Sequence, residues 1–74
     1  QPQFYYFSGL ANNQLKEYKK AATMLEVGID FVVEDVILEA NFNLQLGKAY
    51  NGLGDFKKKE MYFSKANQLL RAKK

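Results

Sequence analysis

The sequence contains no cysteine and no histidine. It therefore has no disulfide, no Cys/His zinc centre, no thiol nucleophile and no imidazole base, and it gives no sign of a redox compartment. No apolar run in it approaches the roughly 18 to 20 residues that cross a bilayer, so no membrane insertion is expected. The first residues, Gln1-Pro2-Gln3, lack the basic start and apolar core of a signal peptide. Gln1 is not an initiator methionine, so the chain is expected to be a fragment of a longer protein whose compartment cannot be read here. At 74 residues it is one domain, 1–74. A chain of this size buries only about 60% of its unfolded surface, which leaves little room for an enclosed catalytic cleft. The expectation is a protein that is not an enzyme and holds no cofactor and no metal.

Proline occurs once, at position 2, where its fixed φ and missing N–H suit the first turn of a helix. Apolar residues make up 47% of the chain and aromatics 15%, more than a disordered segment carries, so the chain folds. The apolar spacing is helical almost throughout, and four helices can be traced. The first runs from about Pro2 to Asn13, with a polar break at Asn13-Gln14-Leu15-Lys16. The second starts near Glu17 and carries Tyr18, Ala21, Ala22, Leu25, Gly28 and Ile29 at steps of three and four. It ends between Asp30 and Val33. Glu34-Asp35 opens the third, since carboxylates complement a helix N-terminus and Asp caps it well. Its apolar face is Leu38, Phe42, Leu46, Ala49 and Leu53. A turn follows at Asn51-Gly52-Leu53-Gly54-Asp55, and the fourth helix carries Phe56, Phe63, Ala66 and Leu70 on one face.

Shifting the sequence by about 38 residues superimposes its halves. Gly9 falls on Gly47, Ala11 on Ala49, Leu15 on Leu53, Tyr18 on Phe56, Lys19-Lys20 on Lys57-Lys58, and Leu25 on Phe63. Repeat one covers about 2–33 and repeat two about 35–72. In the second, Leu46-Gly47-x2-Tyr50 is followed by Gly54-Asp55-Phe56, Phe63 and Ala66. This resembles the tetratricopeptide repeat family, whose pattern is W-x2-L-G-x2-Y, A-x3-F and Pro over about 34 residues. The first half matches through Tyr5, Ser8-Gly9, Asn12, Ala21-x3-Leu25 and Gly28. The resemblance implies an all-α fold, a right-handed solenoid of four antiparallel helices that serves as a protein-interaction scaffold. Three features depart from the pattern. The spacing is longer by four, with the extra residues falling within 31–39. Lys59 replaces a small Ala, so either the last helix is expected to splay slightly or the Lys stem to reach for water. No Pro closes either repeat.

The small residues Gly9, Ala21, Gly28, Gly47 and Ala66 argue independently for closely approaching helices, because Gly inside a helix costs about 0.5 to 1 kcal/mol. Steps of i, i+4 and i+7 place Tyr6, Leu10 and Asn13 together on the first helix, and Leu44, Lys48 and Asn51 on the third. The resemblance adds Gln3, Gln14 and Asn41 as groove-lining positions. These residues suit a shallow groove for a peptide or protein partner, with amides bonding its backbone and Lys48 meeting a carboxylate. They equally suit an ordinary solvated helix face. Tyr6 and Leu10 stand where some family members have a Lys/Asn carboxylate clamp, which argues against that mode of tail binding.

The net charge is 11 − 8 = +3, unevenly spread. Glu26, Asp30, Glu34, Asp35 and Glu39 form an acidic stretch that lacks the spacing of a calcium loop. The bases Lys57, Lys58, Lys59, Lys65, Arg71, Lys73 and Lys74 raise the alternative of a basic helical nucleic-acid-binding module. They spiral around one helix with no interleaved aromatics, which fits a solvated terminal helix better. Glu17 and Lys20 read as a surface ion pair. The cluster Phe4-Tyr5-Tyr6-Phe7 holds too many large aromatics for one buried stripe, and Met61, Tyr62 and Leu69 lie off the main face of the last helix. Both ends look unfinished, so self-association is expected.

Overall fold

Pro2 occupies the first helical position, and in the computed structural model, which describes residues 1–72, α1 runs Pro2–Gln14. It is followed by α2 (Tyr18–Ile29), α3 (Val36–Leu53) and α4 (Phe56–Ala72). The described residues form an all-α structure with no strand. None of these helices is long and apolar enough to cross a membrane. Lys73 and Lys74, counted above among the bases, lie outside the described residues.

The two tight turns close in the same way. After α1, Glu17 N–H donates to Asn12 O (2.8 Å) and Lys16 N–H to Asn13 O (3.0 Å). After α3, Asp55 N–H donates to Tyr50 O (2.9 Å) and Gly54 N–H to Asn51 O (3.1 Å). These are the 6→1 and 5→2 bonds of a Schellman closure, displaced by one repeat. The closure needs one residue in the left-handed region, and the chain uses Lys16 (φ 62°) and Gly54 (φ 79°). Asp55 then accepts from Lys58 N–H (3.2 Å) at the start of α4, and Asp35 accepts from Leu38 N–H (3.0 Å) at the start of α3. Each carboxylate satisfies an N–H that the helix itself leaves free.

Three expectations about boundaries change. Asn51, Gly52 and Leu53 continue α3, so the turn reduces to Gly54 and Asp55. Glu34 precedes the third helix at φ 54°, in the left-handed region, and only Asp35 caps it. The extra residues, expected within 31–39, fall where the chain leaves the helix between α2 and α3, in the segment 30–35.

Contacts fix the direction of each helix. A Cβ on Gly9 would overlap Leu25, and one on Gly28 would overlap Tyr5, so α1 and α2 run antiparallel. Gly28 also faces Phe42, and Gly52 faces the Tyr18 ring, which makes α2 and α3 antiparallel. Gly47 lies under the Phe63 ring, joining α3 to α4 in the same sense. The Gly9·Leu25 and Gly47·Phe63 pairs occupy corresponding positions in the two hairpins. In each the missing Cβ lets a large side chain lie directly on the opposing backbone.

The core lies on the seam between the hairpins. Ala21, Ala22 and Leu25 of α2 meet Phe42, Leu46, Ala49 and Tyr50 of α3, and Tyr5, Tyr6 and Tyr62 pack around them. Leu25, Phe42 and Leu46 are fully buried, each contributing roughly 1.5 to 3 kcal/mol of transfer free energy. The expected face of α4 is covered in part only. Ala66 is buried and Phe63 half-buried, but Phe56 and Leu70 are exposed, while Tyr62 turns inward and stacks on Tyr50.

Candidate functional site

The parallel pair α1 and α3 is joined by an amide bridge. Asn13 Nδ2 donates to the Gln45 backbone carbonyl and to Gln45 Oε1, both at 3.0 Å. Asn13 also lines a groove of about 530 Å³ between α1, α3 and the first half of α4. Leu10, Asn13 and Gln14 form one wall and Lys48 and Asn51 the other, and Tyr18, Lys59 and Phe63 close the ends. Five of the nine residues picked from the sequence thus share one concavity. Lys48 is exposed and Lys59 half-buried, with its Nζ 5.5 Å from the Phe56 ring centroid. No carboxylate lines the groove, so its two ammonium groups bias it toward negative charge.

The other four residues stand outside the groove. Gln3 is exposed on the first turn of α1, and Asn41 and Leu44 are half-buried on α3 in the turns preceding Lys48. Tyr6 is half-buried, its ring edge-on to Phe42 at 5.5 Å, and so belongs to the packing of the core. Lys59, Phe63 and Tyr18 were not among the residues picked. Lys59 and Phe63 reach the groove because α4 folds back on α3, and Tyr18 because it opens α2 directly after the turn that closes α1, neither of which helical spacing on α1 and α3 reports.

A second polar cluster spans three helices. Tyr50 O–H donates to Glu26 Oε2 at 2.7 Å and Tyr62 O–H to the same oxygen at 3.4 Å. The two phenol rings stack with centroids 5.7 Å apart, and Lys58 Nζ lies 5.0 Å from the Tyr50 centroid. Burial raises the Tyr50 phenol well above its ordinary pKa, and the hydrogen bond to Glu26 raises it further. Tyr62 is raised in the same direction, by burial first and then by the charge of Glu26. Glu26 lies at the surface and ties α3 and α4 to α2, so the cluster reads as a clasp between the hairpins. Glu17 and Lys20 meet at 4.0 Å with both side chains exposed, a surface ion pair of small energetic weight.

A larger depression of about 660 Å³ lies on the other side of Tyr18. Its walls are mostly the stems of Lys16, Lys19 and Lys20 with Met24 and Leu53, so long solvated side chains define its shape. The groove between α1 and α3 is the better-built site, because one of its lining residues, Asn13, is held in place by Gln45. No family model, curated protein or solved structure matches the chain.

Proposed function

We propose that this chain is a non-catalytic protein-interaction module, a two-repeat tetratricopeptide-like solenoid that holds a peptide segment of a partner in the groove between α1 and α3. The observation that carries the reading is the composition of that groove. Leu10, Tyr18 and Phe63 offer apolar contact, Gln14 and Asn51 offer amides that can bond an extended backbone, and Lys48 and Lys59 supply positive charge with no acid nearby. Such a surface suits a segment that alternates apolar and acidic side chains. The repeat-wise exchange of Gly9·Leu25 for Gly47·Phe63, and the identical turn bonds, support the solenoid geometry.

The test titrates isotope-labelled protein with two synthetic dodecapeptides of identical apolar residues, one carrying Glu and the other Lys at the polar positions. Amide shifts should move around Leu10, Gln14, Lys48 and Asn51 with the Glu peptide alone. Lys48→Glu should weaken binding about tenfold while leaving the melting curve unchanged, since an exposed residue contributes little to stability. Equal shifts with both peptides, or none, would remove the reading. Tight binding of a single-stranded oligonucleotide that falls steeply with salt would replace it by the nucleic-acid alternative.

A further inference from the structure

No charged side chain occurs in α1 from Pro2 to Gln14. The helix nevertheless leaves Phe4 (64%), Phe7 (62%) and Ala11 exposed, and Leu15 (72%) continues the same three-to-four spacing into the turn. A stripe of that spacing on an uncharged helix is a packing face without its cover. One repeat further on, the chain shows what such a cover looks like. Phe42 and Ala49, the counterparts of Phe4 and Ala11, are completely buried where α3 packs beside α2. We propose that a second copy of this chain covers the α1 stripe, its α4 lying over α1 as α2 lies over α3, so that copies stack head to tail.

The contacts of the internal seam transpose in part: Phe42 and Ala49 become Phe4 and Ala11, while Leu46 becomes Ser8 and Gly52, which leaves room for the Tyr18 ring, becomes Gln14. Phe42 packs on Gly28 and on the Tyr6 ring. Displaced by one repeat, Phe4 packs on Ala66 and Leu44 of the second copy, again an aromatic ring against a small residue and an apolar one. Tyr18 lies on Gly52 within the chain. Its counterpart Phe56, 60% exposed, then lies on Gln14 across the contact. The Tyr50–Glu26 hydrogen bond becomes Asn12 with Ser64, a pair that can still bond. Leu70, 39% exposed, lies one turn of α4 beyond the counterpart of Ile29, where the first repeat has already left α2. Phe4 of α1 and Phe56 of α4 thus gain cover, while Leu15 stays exposed as its counterpart Leu53 does.

Charge modulates the contact without directing it. In the stack α4 runs parallel to α2 of the second copy, setting Lys65 and Arg71 beside the half that holds Glu26 and Asp30, and Lys57 and Lys58 beside the half that holds Lys19 and Lys20. Lys59 and Glu60 also stand where α2 has Ala21 and Ala22, so this contact is looser than the internal seam. Because a head-to-tail contact does not close, assemblies lengthen with concentration. Gln14 belongs both to this contact and to the wall of the groove.

Sedimentation of the protein over about a hundredfold range of concentration is the first measurement, and the weight-average mass should at least double. Two variants then assign the faces: Phe4→Glu with Phe7→Glu on α1, and Asn67→Glu with Leu70→Glu on α4. Each should be monomeric alone at every concentration and keep its helical circular dichroism, because the replaced residues are exposed. Mixed, they should form a one-to-one dimer that grows no further, since one retains α4 and the other α1. The absence of cysteine allows a check that keeps the native stripes largely intact. Gln14→Cys with Phe56→Cys should oxidise to a ladder of covalent oligomers, and neither single replacement should. A wild-type monomer at all concentrations overturns the proposal. So does an α4 variant that still dimerises, which would mean that two α1 stripes pair with each other.

Discussion

Lys16 and Gly54 hold the same place in the two Schellman turns, and only one of them is a glycine. A side chain at φ 62° brings Cβ against the following carbonyl, a strain of roughly 1 kcal/mol that glycine avoids. Lys16→Gly should therefore raise stability by about 0.5 to 1 kcal/mol, the gain in the turn exceeding the added freedom of the unfolded chain. Gly54→Ala should lower it by about 1 kcal/mol. No atom lies within 4 Å of where that Cβ would stand, so the whole cost is conformational. Urea midpoints of the two variants check both signs, and a neutral Gly54→Ala would show that the turn is not held in the left-handed region. Asn43 is a different case, a wholly buried residue whose Nδ2 donates to Glu39 O at 2.9 Å while its Oδ1 is unpaired among the described residues. It lies between Ala40 and Gly47 on the side of α3 that faces α4, where a bulkier apolar residue would push the helices apart.

α3 is the element on which the fold turns, because it is packed on two sides: Phe42, Leu46 and Ala49 toward α2, and Gly47 toward α4. Phe42→Ala should cost about 3 to 5 kcal/mol, enough to unfold most of the population of so small a domain. Phe63→Ala removes a half-buried ring and should cost only about 2 kcal/mol, leaving a folded protein with a lowered midpoint. Thermal melts of the pair test the order, and equal losses would mean that the α3·α4 contact carries as much of the fold as the seam. The α2-facing side of α3 was legible in the sequence as the stripe Leu38, Phe42, Leu46, Ala49 and Leu53, of which Leu53, at the end of the helix, is exposed. The α4-facing side was less so, because Ala40, Asn43 and Gly47 are small or polar and add nothing to an apolar periodicity. The same limit works in reverse on α4, where the stripe included Phe56 and Leu70. Apolar spacing identifies a face that favours cover, but it does not say whether this chain supplies the cover.

At the scale of the whole molecule the hairpins are joined by the apolar seam and by Glu26, which draws together Tyr50 of α3 and Tyr62 of α4 from its place on α2. The groove was legible as far as the repeat carried it. Leu10 with Asn13 and Lys48 with Asn51 are one pattern displaced by 38 positions, and the fold brings both pairs to one concavity. The clasp was not legible, because Glu26 reads as one member of an acidic stretch and nothing local marks its two phenol partners 24 and 36 residues away. Its physics sets a pH dependence. Both phenols are raised in the folded state, by burial and by Glu26, while in the unfolded chain they titrate near the ordinary tyrosine value of about 10. Below that pH both states keep the protons and stability does not depend on them. Above it the unfolded chain releases protons that the native state retains, so stability falls as pH rises. A phenolate on Tyr50 would also stand 2.7 Å from the Glu26 oxygen that accepts its hydrogen bond, replacing an attraction by a repulsion. Urea midpoints at about pH 8 and pH 11 should differ accordingly, the second being lower. Tyr50→Phe should cost about 1 kcal/mol at pH 8 through the lost hydrogen bond, and should flatten much of the alkaline decline. A decline as steep in that variant as in the parent would place its origin in other groups and dissolve the clasp.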